Sequence, residues 1–220
     1  MADRSVFGLV KMLLEVGVLV GTLSTGIAVA ALVGVTRARM NSMCIFSLTA
    51  GCQQIGGQNY YKFADNVPST CSYCLAIQIM AVLISPVVAI YRILIYLDST
   101  RNNWMVNVIV NVGLLVLSIL TLVVAAIISV GLTAFCNRLN DACSREKQVD
   151  CLYLQDHIEW TDNYEGASFY NDTKTAEAAA WVSFLFWTCL TICSFVTMIC
   201  NGRRRHRQKA SNAIPTDVPI

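Results

Sequence analysis

The sequence predicts an all-α membrane protein, a four-helix transmembrane bundle with two disulfide-stapled outer loops. Four apolar stretches, residues 12–35, 76–97, 105–131 and 178–200, carry that prediction. Each exceeds the roughly 20 residues that a helix rising about 1.5 Å per residue needs to cross the hydrocarbon core. The cysteines segregate as well. Cys44, Cys52 and Cys71 lie in the first long connection with Cys74 at its edge, Cys136, Cys143 and Cys151 lie in the second, and Cys189, Cys193 and Cys200 lie in the last apolar stretch. Loops facing an oxidising compartment are stapled in this way, whereas the last three read as small apolar residues. Finally, 55% of the 220 residues are hydrophobic and 14% charged, too few charges for a water-soluble surface.

Charge placement sets the expected orientation. Four spans put both termini on one side, and Arg203, Arg204, Arg205, Arg207 and Lys209 directly follow the fourth. Basic clusters at the membrane edge stay in the cytoplasm, so both termini are expected there. Arg37 and Arg39, just after the first span, run against the rule.

After a short N-terminus (1–11), the first span carries Gly17-x-x-x-Gly21 and Gly26-x-x-x-Ala30-x-x-x-Gly34, small residues that let another helix approach closely. Ala28-Val29-Ala30 has the form of a signal-peptidase site, but the apolar run before it is too long for a signal peptide and contains Glu15. Outer loop 1 (36–75) contains the turn formers Gly51, Gly56, Gly57 and Pro68. The second span holds Gln78 and Pro86, and the brief link 98–104 makes the second and third helices antiparallel neighbours. Asn107, Asn111 and Ser118 in the third span are interhelical glue. Outer loop 2 (132–177) offers a short helix near 151–159 and the sequon Asn171-Asp172-Thr173, a glycosylation candidate. The tail (201–220) ends in Val218-Pro219-Ile220, a pattern that some PDZ domains accept by strand addition.

Few residues suggest chemistry. Lys11, Glu15 and Arg92 reach membrane depth near the cytoplasmic ends of their helices and are expected to form an inner-leaflet ion pair, with Glu15 meeting one of the two cations. Cys71-Ser72-Tyr73-Cys74 has the C-x-x-C spacing of a reversible dithiol, the basis of a rival reading as a lumenal thiol oxidoreductase of the vitamin K epoxide reductase type. His157 and His206 have no partners at metal-ligand spacing, so neither metal nor cofactor is expected. The basic tail lies too near the bilayer to favour nucleic acid and suits anionic lipid.

Several motifs converge on a resemblance. Ile128-Ser129-Val130-Gly131-Leu132-Thr133 running into Cys136, Cys151 followed by Leu154-Gln155-Asp156, Phe169-Tyr170, Ala176-Glu177 and Trp181-Val182 with Trp187 resemble the transmembrane protein 179 and 179B family. Cys44, Cys71-Ser72-Tyr73 and Tyr91-Arg92 extend the likeness over most of the chain except the tail. The resemblance implies a four-span protein without an enzymatic activity to transfer. It also implies that Cys44, Cys71, Cys136 and Cys151 form the shared disulfide framework, with Cys52, Cys74 and Cys143 as additions. Four cysteines allow three pairings; Cys44 with Cys71 and Cys136 with Cys151 is the expected one.

The expected function is that of a non-enzymatic tetraspan, an accessory subunit or scaffold for another membrane protein, in the plasma membrane or a secretory-pathway or granule membrane. Its expected partners are the lipid bilayer and a lateral membrane protein. This step is analogy with the architecture of claudin-like accessory subunits. A self-assembling channel or transporter is the main rival.

Overall fold

The computed structural model describes residues 2–55, 58–65, 67, 69–97, 104–143, 150–157 and 165–212. In chain order the elements are α1 (Ala2–Arg39), β1 (Leu48–Ile55), β2 (Gln58–Asp65), α2 (Ser69–Leu97), α3 (Trp104–Cys143), α4 (Cys151–His157) and α5 (Phe169–Asn212). Among the described residues four helices are long and apolar enough to cross a membrane, over Leu9–Arg39, Ser69–Leu97, Trp104–Asp141 and Phe169–Cys200.

The helices outrun the apolar stretches because their buried face persists where overall polarity rises. In α3 the spacing of buried Ile128, Leu132, Phe135 and Leu139 carries the helical period beyond residue 131. In α5 buried Phe169, Thr173, Ala176 and Ala180 do the same before residue 178. Much of what reads as loop is therefore helix standing beyond the apolar band. At the other end of α5 the basic segment continues the same helix to Asn212.

Packing follows a ring. α1 lies against α2 and α5, and α3 lies against α5, while α2 and α3 meet along a much thinner seam. The short link thus makes them neighbours without making them the main contact. Tyr91 Oη donates to Asn107 Oδ1 across that seam at 3.0 Å. Elsewhere hydroxyl pairs join helices: Thr22 with Ser85 at 3.0 Å and Ser118 with Thr188 at 2.9 Å. Gln78 differs, being fully buried with neither amide atom hydrogen-bonded.

The first loop departs from an all-α expectation. β1 and β2 form an antiparallel hairpin, Leu48 opposite Asp65 and Ile55 opposite Gln58, on either side of Gly56-Gly57. A glycine pair between two strand-length runs is a hairpin signal, more specific than the turns these glycines suggest singly. The fold is mostly helical, with this sheet seated on α3. Arg138 Nη1 donates to Leu48 O at 2.7 Å, and Phe135 stacks near Phe63, with ring centroids 6.2 Å apart. Gly131 lets the loop descend this close: a Cβ there would lie 2.6 Å from Phe46 Cβ and 3.0 Å from its Cα.

Candidate functional sites at the two ends of the bundle

At the end bearing the loops, α1 stops where Asn41 and Ser42 take left-handed backbone angles, φ 50° and 66°. Ser42 N–H then donates to Arg37 O at 2.9 Å, satisfying a carbonyl that the helix leaves open. The turn delivers Cys44 to Cys71 in the first turn of α2, and the two are joined by a disulfide with 5.5 Å between Cα atoms. Cys136 on α3 and Cys151 at the start of α4 form the second bridge, also with 5.5 Å between Cα atoms. Both Cys44 and Cys71 lie inside an apolar cluster with Ile45, Phe46, Leu48 and Phe135. Cys151 is buried in the same cluster and Cys136 packs against it, and both also border an open groove shared with Asn137, Asp150 and Lys174.

Charged side chains brace the same end. Arg39 Nη1 meets Asp172 Oδ2 at 2.8 Å and also bonds Ser168, whose own hydroxyl donates to Asp172 at 2.8 Å. Glu165 N–H donates to the carbonyl oxygen of Arg39 at 3.1 Å. Arg37 donates to Ser72 Oγ at 3.0 Å. The two arginines that violate the charge rule are thus cross-braces from α1 to α5 and α2. Buried Gln155 on α4 accepts from the backbone N–H groups of Tyr170 (2.9 Å) and Asn171 (3.3 Å), capping the start of α5. Sequence reasoning missed these roles, since each depends on a partner far along the chain.

The remaining loop residues are placed plainly. Asn171 is exposed in the first turn of α5, while Thr173 of its sequon is buried and its hydroxyl donates to Phe169 O. Cys74 is a free thiol with no exposed surface. The side chains of Cys52, Cys143 and His157, residue His206 beyond its backbone, and the terminal Val218-Pro219-Ile220 lie outside the described residues.

At the tail end the three membrane-depth charges meet. Glu15 Oε1 lies 3.6 Å from Lys11 Nζ and Glu15 Oε2 lies 4.0 Å from Arg92 Nε, so one carboxylate serves both cations. Lys11 also donates to Thr197 Oγ1 and Arg92 to Ser194 Oγ, which ties α1 and α2 to α5. Arg92 and Glu15 side chains are 16% and 14% exposed, Lys11 40%. The more buried pair should couple more strongly despite its longer separation, because solvent screens the Lys11 contact. Glu15→Gln is expected to destabilise the chain by about 2 kcal/mol, and adding Arg92→Leu should recover more of that loss than adding Lys11→Gln. Unfolding titrations of the single and double variants measure this; additive losses for both pairs would remove the shared-carboxylate arrangement.

The Transmembrane protein 179/179B Claudin domain matches residues 11–217. The chain belongs to this family. It is thus a claudin-like multi-pass membrane protein, and the two disulfides stand within the matched domain. Neither a curated protein nor a solved structure matches the chain.

Proposed function

We propose that this family member is a non-enzymatic accessory subunit or scaffold that binds another membrane protein laterally, with both termini cytoplasmic and the braced loop end outside. The observation that carries this reading is how α1 divides its small residues. A Cβ at Gly21 would lie 2.6 Å from the Phe186 ring and one at Gly26 would lie 2.9 Å from Val82, so these two are spent on internal packing. At Gly17 a Cβ would meet nothing within 4 Å. Gly17, Ser24 and Ala31 follow one another at seven-residue intervals on the exposed side of α1, a face shaped for a second helix.

Two observations weigh against the rivals. Trp187, Val124, Ala125 and Ile128 have no exposed surface, which favours a packed bundle over a conduit. Cys71 is committed to Cys44 while Cys74 is buried, which leaves the C-x-x-C spacing without an accessible attacking thiol.

A C-terminally tagged full chain tests the proposal. The tag should be detected only in permeabilised cells, and purification from native membrane should bring down a stoichiometric membrane partner. Gly17→Ile should reduce that partner several-fold with an unchanged melting temperature, because the new side chain meets only open space. Recovery of the chain alone, or surface staining of the tag, would sink the reading.

A further inference from the structure

A cavity of about 230 Å³ opens between α1 and α5 at the tail end, with Lys11, Leu14, Glu15 and Val18 on one wall and Cys189 and Cys193 on the other. Leu14, Cys189 and Cys193 are exposed on the outside of the bundle, so the cavity is a groove reached from the lipid. Its depth follows from the helix rise. The bond from Lys11 Nζ to Thr197 places the ammonium at that level, and Cys189 lies eight residues further into the bilayer, about 12 Å. In the other direction α5 remains helical to Asn212, so its basic run begins at Arg203, six residues or about 9 Å beyond Thr197.

The charges in this region do not balance. Among the described residues Glu15 supplies one negative charge to two cations, Lys11 and Arg92, leaving the cluster with a surplus of one positive charge. Lys11 is the most exposed member of the cluster, so the surplus charge stands where an anion can reach it. The groove thus combines an apolar wall with an exposed lysine that shares its carboxylate at the mouth and a helix carrying the basic run beyond it.

We propose that this groove holds an anionic phospholipid, with one acyl chain along the wall formed by Leu14, Val18 and Cys189 and the phosphate beside Lys11. Basic pockets between membrane helices bind acidic headgroups by this logic, and the need for a chain as well as a phosphate separates a lipid from free phosphate. The site uses the tail-end orientation of the proposed function only in that acidic lipids concentrate in the cytoplasmic leaflet.

The test needs neither orientation nor a protein partner. Full-length chain in nanodiscs of mixed phosphatidylserine and phosphatidylcholine is washed with detergent, and the retained lipid is counted by native mass spectrometry. Phosphatidylserine should be retained at one per chain in preference to phosphatidylcholine. Lys11→Gln should lower that preference about fivefold, the effect of one charge near the surface. Leu14→Trp fills the groove from an exposed position while keeping every charge, and should abolish retention with an unchanged melting temperature. Excess inorganic phosphate should not displace the lipid. Equal retention of the two lipids, or full retention of phosphatidylserine by Leu14→Trp, would overturn the site and assign any lipid effect to the basic tail; neither result touches the accessory role.

Discussion

Trp187→Ala is expected to destabilise the bundle by about 3–5 kcal/mol, the range for truncating a large buried aromatic. Trp187 has no exposed surface and belongs to a cluster with Leu19 of α1, Ala81 and Val88 of α2, and Leu114 and Leu117 of α3. All four long helices therefore lose packing when the indole goes. In lipid the loss comes from the cavity and its missing contacts, because the hydrophobic drive between apolar helices is weak there. Trp187→Phe provides the control. The indole N–H has no hydrogen-bond partner, so phenylalanine removes volume without breaking a bond and should cost less than half as much. Detergent unfolding curves of both variants measure the difference; a Trp187→Ala protein as stable as the parent would mean that the four helices do not converge on this side chain.

Loss of the Cys44–Cys71 bridge should be nearly as damaging. The linked residues are 27 apart in sequence, which corresponds to about 3.5 kcal/mol in the chain-entropy picture, against about 3 kcal/mol for the 15-residue separation of Cys136–Cys151. The Cys44→Ser, Cys71→Ser double variant also places two hydroxyls inside the apolar cluster around Phe46 and Phe135. Its melting temperature should fall further than that of the Cys136→Ser, Cys151→Ser variant. Exposure predicts the order of reduction, too. Cys136 is partly exposed beside the open groove, although its partner Cys151 is buried, whereas Cys44 and Cys71 are both buried, so mild reductant should open the second bridge first. Peptide mapping of partly reduced protein reads this directly. A Cys71–Cys74 link that forms and turns over in that experiment would favour the oxidoreductase over the accessory role.

Three of the loop-end residues illustrate why a site resists prediction even when its fold does not. Arg39, Gln155 and Asp172 look unremarkable in sequence, and Arg39 even argues against its own location by charge bias. Its partner Asp172 lies 133 residues away, and Gln155 caps a helix that begins at Phe169, whose ring packs on Phe135 edge to face at 5.5 Å. The tail-end charges were legible for the opposite reason. A carboxylate inside an apolar run must find a cation, and only Lys11 and Arg92 lie at its depth. That Glu15 serves both, leaving one charge over, required the bundle.

The four membrane-length helices among the described residues were legible in the chain, since continuous apolarity over about 20 residues has one outcome in lipid: a helix that satisfies its own backbone. Together with the family likeness the sequence also singled out Cys44, Cys71, Cys136 and Cys151, the cysteines that pair among the described residues. Tertiary structure alone decided how far those helices run beyond the apolar band, which of the glycines in α1 face inward, and that the first loop folds as a hairpin on α3. Span length is a property of local composition, whereas helix extension, glycine contacts and strand seating depend on which surface a distant segment brings, and that information enters only when the chain closes on itself.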